Sequence, residues 1–181
     1  MKVISGKYKG RVLEGFEIEG TRPTMDRVKE SLFSILQEKI PNSVVLDLFS
    51  GSGNLAIEAL SEGASFAYAV DHNKIAINTI KKNVEKINIE NIEIIKSDYQ
   101  KALDYLEKKN IKLDIVFLDP PYKTNYIEQS IKKIDEKELI KEKGWIICES
   151  DNKDKIIYSD SYRIIKEKKY GDKYIVIIEK M

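Results

Sequence analysis

Two stretches of this chain combine residue types in spacings that chemistry can use. The first is Leu118-Asp119-Pro120-Pro121-Tyr122. Two successive prolines fix the backbone and remove two N–H donors, so carbonyl oxygens are left as acceptors beside the Asp119 carboxylate. Asp119 and a proline carbonyl then form a pre-set acceptor pair next to an aromatic face. That arrangement suits a planar group bearing an NH2: the acceptors hold its two hydrogens, the Tyr122 ring stacks on its plane, and the nitrogen lone pair is aimed in one direction. The competing structural reading is a Pro-Pro turn that merely ends a strand. The second stretch runs from Val44 to Ala56, an apolar run followed by Gly51-x-Gly53-x-x-Ala56. Its glycines permit a tight turn and a close approach of backbone to a ligand, and a helix N-terminus follows.

That glycine pattern matches a dinucleotide fingerprint, and Asp71 lies at the distance expected of a carboxylate that accepts ribose hydroxyls. NAD is therefore one reading. Three features favour a different ligand. Asp47 and Phe49 sit at a strand end just before the glycines, where a carboxylate attracts an ammonium and repels a pyrophosphate. Asp98, followed by Tyr99, ends a later strand and can accept from an adenine amino group. No second domain remains to carry a hydride acceptor. An adenosine with a cationic amino-acid tail, S-adenosylmethionine, suits three carboxylates better than a dinucleotide does. Gly51 and Gly53 would then shape the turn, and His72, directly after Asp71, would lie near the adenine.

These residues need strand ends to present them, and the chain supplies them. Val44–Leu48 reads as a buried strand, and residues 54–62 read as a short helix ahead of Gly63. Further strands are expected at 66–71, 92–96, 113–119 and 144–149, separated by helices near 74–87, 100–109 and 125–135. Within the first of these helices Ile75, Ala76, Ile80, Val84 and Ile87 are expected to face inward. Strand–helix alternation over this length predicts an α/β fold with a parallel sheet and right-handed crossovers. Residues 162–166 and 174–178 are separated only by a short polar stretch, so they form a hairpin and place one antiparallel strand at the end of the sheet. Ahead of all this, residues 2–20 alternate apolar pairs with glycines and predict a small β-hairpin. Thr24 is a candidate N-cap for a helix that runs towards Pro41.

Composition narrows the function classes. The 181 residues suffice for one well-buried domain, and the 42% hydrophobic and 34% charged shares are ordinary for a soluble protein. A net charge of +1 makes no compositional case for nucleic acid. The single cysteine, Cys148, excludes an internal disulfide, and no Cys/His cluster points to a metal. The chain lacks a signal-peptide core and any membrane-length apolar run, and a cytoplasmic monomer is expected.

Asp-Pro-Pro-Tyr after the fourth strand, with Asp-x-Phe-x-Gly-x-Gly after the first, resembles the class I S-adenosylmethionine-dependent amino-methyltransferases. Arg22-Pro23-Thr24 with Asp26-Arg27-Val28-Lys29-Glu30-Ser31-Leu32-Phe33, the opening Ile4-Ser5-Gly6 and the late Tyr170-Gly171-Asp172 are similar to the bacterial 16S rRNA guanine-N2 methyltransferases. The resemblance runs nearly end to end. It implies a Rossmann-like fold with a seven-stranded, mostly parallel sheet, an RNA-facing extension over residues 1–40 and a methyltransferase domain over 41–181. It implies cofactor contacts at Asp47, Gly51, Asp71 and Asp98, and target-base contacts at Asp119, Pro120, Pro121 and Tyr122. Asp71 stands where a glutamate is commoner and Ser50 where alanine is usual.

The implied partner is 16S rRNA, within an assembling small ribosomal subunit, and the implied product is methylated at the exocyclic N2 of a guanine. Read from the residues, an ionised Asp119 can accept from guanine N1–H and N2–H2, whereas adenine N6 has an acceptor beside it. The proline carbonyl serves either base, so a DNA or RNA adenine-N6 or cytosine-N4 methyltransferase remains the alternative. A DNA enzyme would carry a sizeable target-recognition region, and no insertion here is long enough. Lys7, Lys9 and Arg11 with Arg22, Thr24 and Arg27 are the candidate RNA contacts. A solvated surface explains those charges equally well.

Overall fold

The computed structural model describes residues 1–15 and 26–181. Twelve main elements follow in order: α1 (Asp26–Leu36), β1 (Val44–Asp47), α2 (Asn54–Ser61), β2 (Phe66–Asp71), α3 (Lys74–Lys86), β3 (Ile92–Lys96), α4 (Tyr99–Lys108), β4 (Leu113–Leu118), α5 (Tyr126–Glu136), β5 (Ile140–Ser150), β6 (Tyr162–Tyr170) and β7 (Lys173–Lys180). The seven strands form one sheet in the order β3-β2-β1-β4-β5-β7-β6. β1 to β5 pair in parallel, and β7 runs antiparallel between β5 and β6. The order reverses between β1 and β4, so the carboxyl ends of those two strands open the crevice where such sheets bind ligands.

The alternation of side chains along each strand divides the core in two. Val45, Ile115, Phe117, Ile147, Ile175 and Ile177 face a layer made by α1, α2 and α3, where Phe33 stacks on Phe117 with centroids 5.9 Å apart. Leu46, Val116, Leu118, Ile146, Cys148, Val176 and Ile178 face α4 and α5. Cys148 is a core thiol, as its mid-strand position predicts.

Within the described residues 1–15 the N-terminal segment pairs as a short antiparallel hairpin: Lys2 bridges Val12, and the amides of Val3, Gly10 and Leu13 donate to the carbonyls of Arg11, Val3 and Met1 at 2.9 Å. The amides of Ile4 and Ser5 leave this pairing and donate to the Glu58 carboxylate of α2 at 3.0–3.1 Å. Val3 and Leu13 are buried in the same layer as α1 and α2. Lys29 of α1 closes this arrangement. Its ammonium lies 2.8 Å from Glu58 Oε2 and donates to the Lys2 carbonyl at 2.7 Å and to Asn54 Oδ1 at 2.8 Å, with both charged side chains fully buried. Lys29 sits one residue after the apolar Val28 in a charged stretch, so sequence periodicity gave no sign of its burial.

Two boundaries and the burial of one position differ further from expectation. α1 ends at Leu36; Lys39 and Ile40 both return their amides to the Leu36 carbonyl in a closing turn ahead of Pro41. Ile75 of α3 is 67% exposed and does not face inward, because it lies in the first turn of its helix, above the end of the sheet. The C-terminal hairpin is longer than its apolar residues suggest. Lys166 to Tyr170 remain paired in β6, and only Gly171 and Asp172 make the turn. β6 is the sheet edge, so its backbone pairs on one side while charged side chains occupy solvent, which is how edge strands resist further pairing.

The Lys29–Glu58 pair is open to a direct test. Lys29→Met leaves a buried carboxylate without its cation and is expected to cost about 3–5 kcal/mol. Adding Glu58→Gln should recover part of that loss, since the residual amide oxygen can still accept from the N-terminal loop. Urea denaturation of the two single variants and the double variant measures the coupling, and strict additivity would show that the pair is not what ties the loop down.

Candidate active site

The glycine turn is held by the carboxylate expected to bind ribose. Asp71 Oδ2 accepts from the Gly51 amide at 2.9 Å, and its Oδ1 accepts from the Asn73 amide at 2.8 Å. Gly51 and Gly53 have φ of 54° and 81°, which favours glycine, and a Cβ on Gly53 would meet the Ile80 side chain at 3.2 Å. Gly53 also precedes the first residue of α2 without supplying a side-chain cap.

Asp47 ends β1 beneath this turn and is 1% exposed. Among the described residues its carboxylate accepts one hydrogen bond, from the Ala56 amide at 3.3 Å. Burial pushes its carboxyl up to about 7, and the Asp71 charge adds to this against the Ala56 amide. A buried carboxyl with one long hydrogen bond is a group prepared for a cation. Asp98 also serves the fold. It caps α4, its Oδ1 accepting from the Lys101 amide at 3.0 Å, and its side chain is half exposed. His72 is 76% exposed in its side chain and lies 3.7 Å from Asp71 Oδ1. Between these strand ends Phe49, Tyr99 and Tyr126 form an aromatic cluster, with centroids 5.5 Å apart for Phe49–Tyr99 and 4.8 Å for Tyr99–Tyr126. Tyr126 was not singled out by its sequence position, which only starts a helix. The residues that fit S-adenosylmethionine are thus a buried carboxyl with no cation partner among the described residues, an open glycine turn and an aromatic platform, all on one edge of the sheet.

Asp119 follows β4 at the same edge. Removal from water and the neighbouring Glu149 drive its carboxyl well above the ordinary carboxylate range; Lys173 opposes this and Asp47 adds to it. Pro120 is buried, whereas Pro121 and Tyr122 are exposed, Tyr122 by 44%. The Pro121 carbonyl already accepts from the Thr124 hydroxyl at 2.9 Å, which favours Pro120 as the proline acceptor. Glu149 and Lys173 were missed by sequence reasoning. Glu149 carried a signal, a carboxylate closing an apolar strand as Asp47, Asp71 and Asp119 do; Lys173 carried none.

The cationic candidates are placed apart. The Lys7 amide donates to the carbonyl of Ser61, the last residue of the 8-residue α2. Lys7 and Lys9 therefore lie about 12 Å, one helix length, from the glycine turn. Arg11 is exposed on the same loop, and Arg27 is exposed in the first turn of α1. Arg22 and Thr24 lie outside the described residues. Lys173 of the C-terminal hairpin lies against the Tyr122 ring, its ammonium 5.7 Å from the ring centroid.

A family model described as conserved hypothetical protein 95 matches residues 1–179. The chain belongs to that family. It is 38% identical over 167 residues to ribosomal RNA small subunit methyltransferase D of Buchnera aphidicola, covering 92% of this chain and 86% of that protein. It is 37% identical over 175 residues to the protein of the same name from Haemophilus influenzae, covering 94% and 89%. Among solved structures, an Escherichia coli protein assigned as a methyltransferase superposes with a TM-score of 0.88 at 28% identity over 99% of this chain and 97% of that one. A Haemophilus influenzae structure assigned as a methylase gives 0.82 at 32% identity, covering 99% and 98%. The fold of this family member is that of class I methyltransferases, and it is a methyltransferase.

Asp47 links this site to stability. Its carboxyl titrates at about 7 when folded and near 3.8 when unfolded, so the folded chain holds the extra proton between those values. Stability from this group therefore declines as pH rises from about 4 to about 7 and is level outside that window. Asp47→Asn should abolish the decline and make the ligand-free protein more stable than the parent by about 2–4 kcal/mol at pH 8. Urea midpoints at pH 4 and pH 8 check this; equal pH dependence in parent and variant would mean that Asp47 is not the destabilising group.

Proposed function

We propose that the protein transfers a methyl group to the exocyclic N2 of a guanine in 16S ribosomal RNA, within an assembling small subunit and in the cytoplasm. The observation that carries this reading is the acceptor cluster at the end of β4, facing the glycine turn across the point where strand order reverses. Relatives named for ribosomal RNA small subunit methylation over nearly the whole chain support the substrate.

In this reading Asp47 receives the cofactor's ammonium, and its raised pKa falls when that cation arrives. Asp71 orients the turn and accepts from ribose, as its remaining lone pairs permit. Phe49 and Tyr99 flank the adenine, Asp98 accepts from its amino group with the oxygen not used in capping, and His72 borders it. The bound cofactor supplies an electrophilic methyl group. At the acceptor, Asp119 and the Pro120 carbonyl hold the two hydrogens of the guanine amine and Tyr122 stacks on the base. The nitrogen lone pair is thereby directed away from the acceptors and towards the donor. A carboxylate at Asp119 also offsets the positive charge that develops on nitrogen and can take its proton. The base must leave its stack to reach this pocket, which RNA loops permit at low cost. Residues 1–40 form the extension that would meet RNA, through Lys7, Lys9, Arg11 and Arg27, together with Arg22 and Thr24 from outside the described residues. Lys7 and Lys9 reach phosphates beyond the target nucleotide.

Labelled S-adenosylmethionine with unmethylated small-subunit RNA or particles, followed by nucleoside analysis, should yield N2-methylguanosine. Label in N6-methyladenosine or in DNA would overturn the assignment. Asp119→Ala should lower single-turnover methylation by about 10²–10³ while leaving cofactor affinity nearly unchanged, because its partner is the amine. Asp119→Asn keeps one acceptor without the charge, so its residual rate reports how far positioning alone suffices. Neutralising Lys7 and Lys9 should weaken RNA binding and reduce its salt slope by about one for each phosphate no longer neutralised. Filter binding at several salt concentrations reads this, and an unchanged slope would make the loop an ordinary solvated surface.

A further inference from the structure

The acceptor site draws on more strands than the Asp-Pro-Pro-Tyr stretch. Asp47 follows Val45 by two positions, Asp119 follows Phe117, Glu149 follows Ile147, and Lys173 precedes Ile175 by two. These four apolar residues all face the layer of α1, α2 and α3, so the four charged residues share that face at one edge of the sheet. Phe117 is in register with Ile147, which sets Asp119 opposite Glu149 one pleat beyond. Glu149 is in register with Ile175, one pleat from Lys173. Glu149 is 7% exposed and ion-pairs with Lys173, whose ammonium lies 5.7 Å from the centroid of the Tyr122 ring. Two carboxylates on facing strand ends repel each other, and the Lys173 cation is supplied from a third strand, next to the tight turn at Gly171.

We propose that Glu149 and Lys173 are positioning residues of the methyl-acceptor site, with Glu149 holding the Lys173 ammonium where it steadies the Tyr122 ring and faces Asp119. The inference rests on the reading of Asp119 to Tyr122 as the site of the target amine. A cation held against an exposed aromatic face restricts the ring to one position, which is what a stacking platform needs. Among the described residues, the groups facing Asp119 are Asp47 from β1, Glu149 from β5, Lys173 from β7 and Tyr122 from its own loop. Of these, Lys173 alone favours the ionised form of Asp119, the form that only accepts hydrogen bonds and can take a proton from nitrogen. Glu149 by itself works against that form; its contribution is to anchor the lysine.

Lys173→Met keeps the aliphatic stem and removes the charge, and Lys173→Arg restores it. Two measurements decide the matter. The first is carboxyl NMR titration of Asp119 in the ligand-free protein, in which Lys173→Met should raise the midpoint by about one pH unit and Lys173→Arg should leave it near the parental value. The second is the pH profile of single-turnover methylation. Its acidic limb should move up by the same amount in Lys173→Met, with the rate at pH 7 lowered roughly 10- to 100-fold, and Lys173→Arg should recover most of that rate. Cofactor affinity should change less than about twofold throughout. An unmoved Asp119 midpoint overturns the proposal whatever the activity, and so does a rate loss that tracks reduced melting temperature with an unshifted pH limb. Parental protein that methylates no RNA would defeat the proposed substrate and leave the titration to decide the role of Lys173.

Discussion

The buried ion pair between Lys29 and Glu58 is the contact on which the rest of the structure depends. Three separate pieces of chain converge on it: the N-terminal loop through Lys2, Ile4 and Ser5, the start of α2 through Asn54, and α1 itself. Charges taken wholly out of water are tolerated only when their remaining donors and acceptors are also satisfied. Here the ammonium makes one ion pair and two hydrogen bonds, and the carboxylate accepts backbone amides as well as the lysine. Because Asn54 is the first residue of α2, the same network steadies the helix that begins at the glycine turn. A segment that would otherwise be a loose extension thus becomes part of the layer that covers the sheet beside the site.

The site itself is kept in the opposite condition. Asp47 is as deeply buried as Glu58 but pairs with no cation among the described residues, and Asp119 faces Glu149 on the neighbouring strand. Both carboxyls are therefore poorly accommodated in the ligand-free fold. At Asp119 the Lys173 cation meets part of that need; in the proposed reading the rest is met by what the site binds, a sulfonium cofactor with an ammonium tail and an amine that becomes cationic as it is methylated. Binding free energy would then be drawn from that need, the physical form of a trade between stability and function.

The C-terminal hairpin takes part in this balance. By inserting β7 antiparallel beside β5, it brings Lys173, at the start of β7, to the end of β5 where Glu149 lies. A parallel strand in the same place would have put its first residue at the opposite edge of the sheet. The reversed direction of one strand is what allows a residue close to the end of the chain to meet the acceptor stretch.

Much of the architecture was legible in the amino-acid order, because strands and helices announce themselves through local periodicity and through glycine and proline. The apolar run before Gly51-x-Gly53, the alternating strands and helices and the closing hairpin all appear where that periodicity puts them, and Asp47, Asp71 and Asp119 stand at strand ends as their positions imply. Local pattern could not say that Lys29 is buried, since a lysine beside Val28 in a charged helix reads as surface until its partners are known. It could not reveal that Asp71 and Asp98 spend hydrogen-bonding capacity on a turn and a helix cap, nor that Ile75 is exposed. Nor could it show that Glu149 and Lys173 stand beside Asp119. Those facts depend on strand register and strand order, which bring residues 24 to 54 positions apart onto one pleat, and register is decided by packing across the whole sheet rather than by any neighbourhood of the chain.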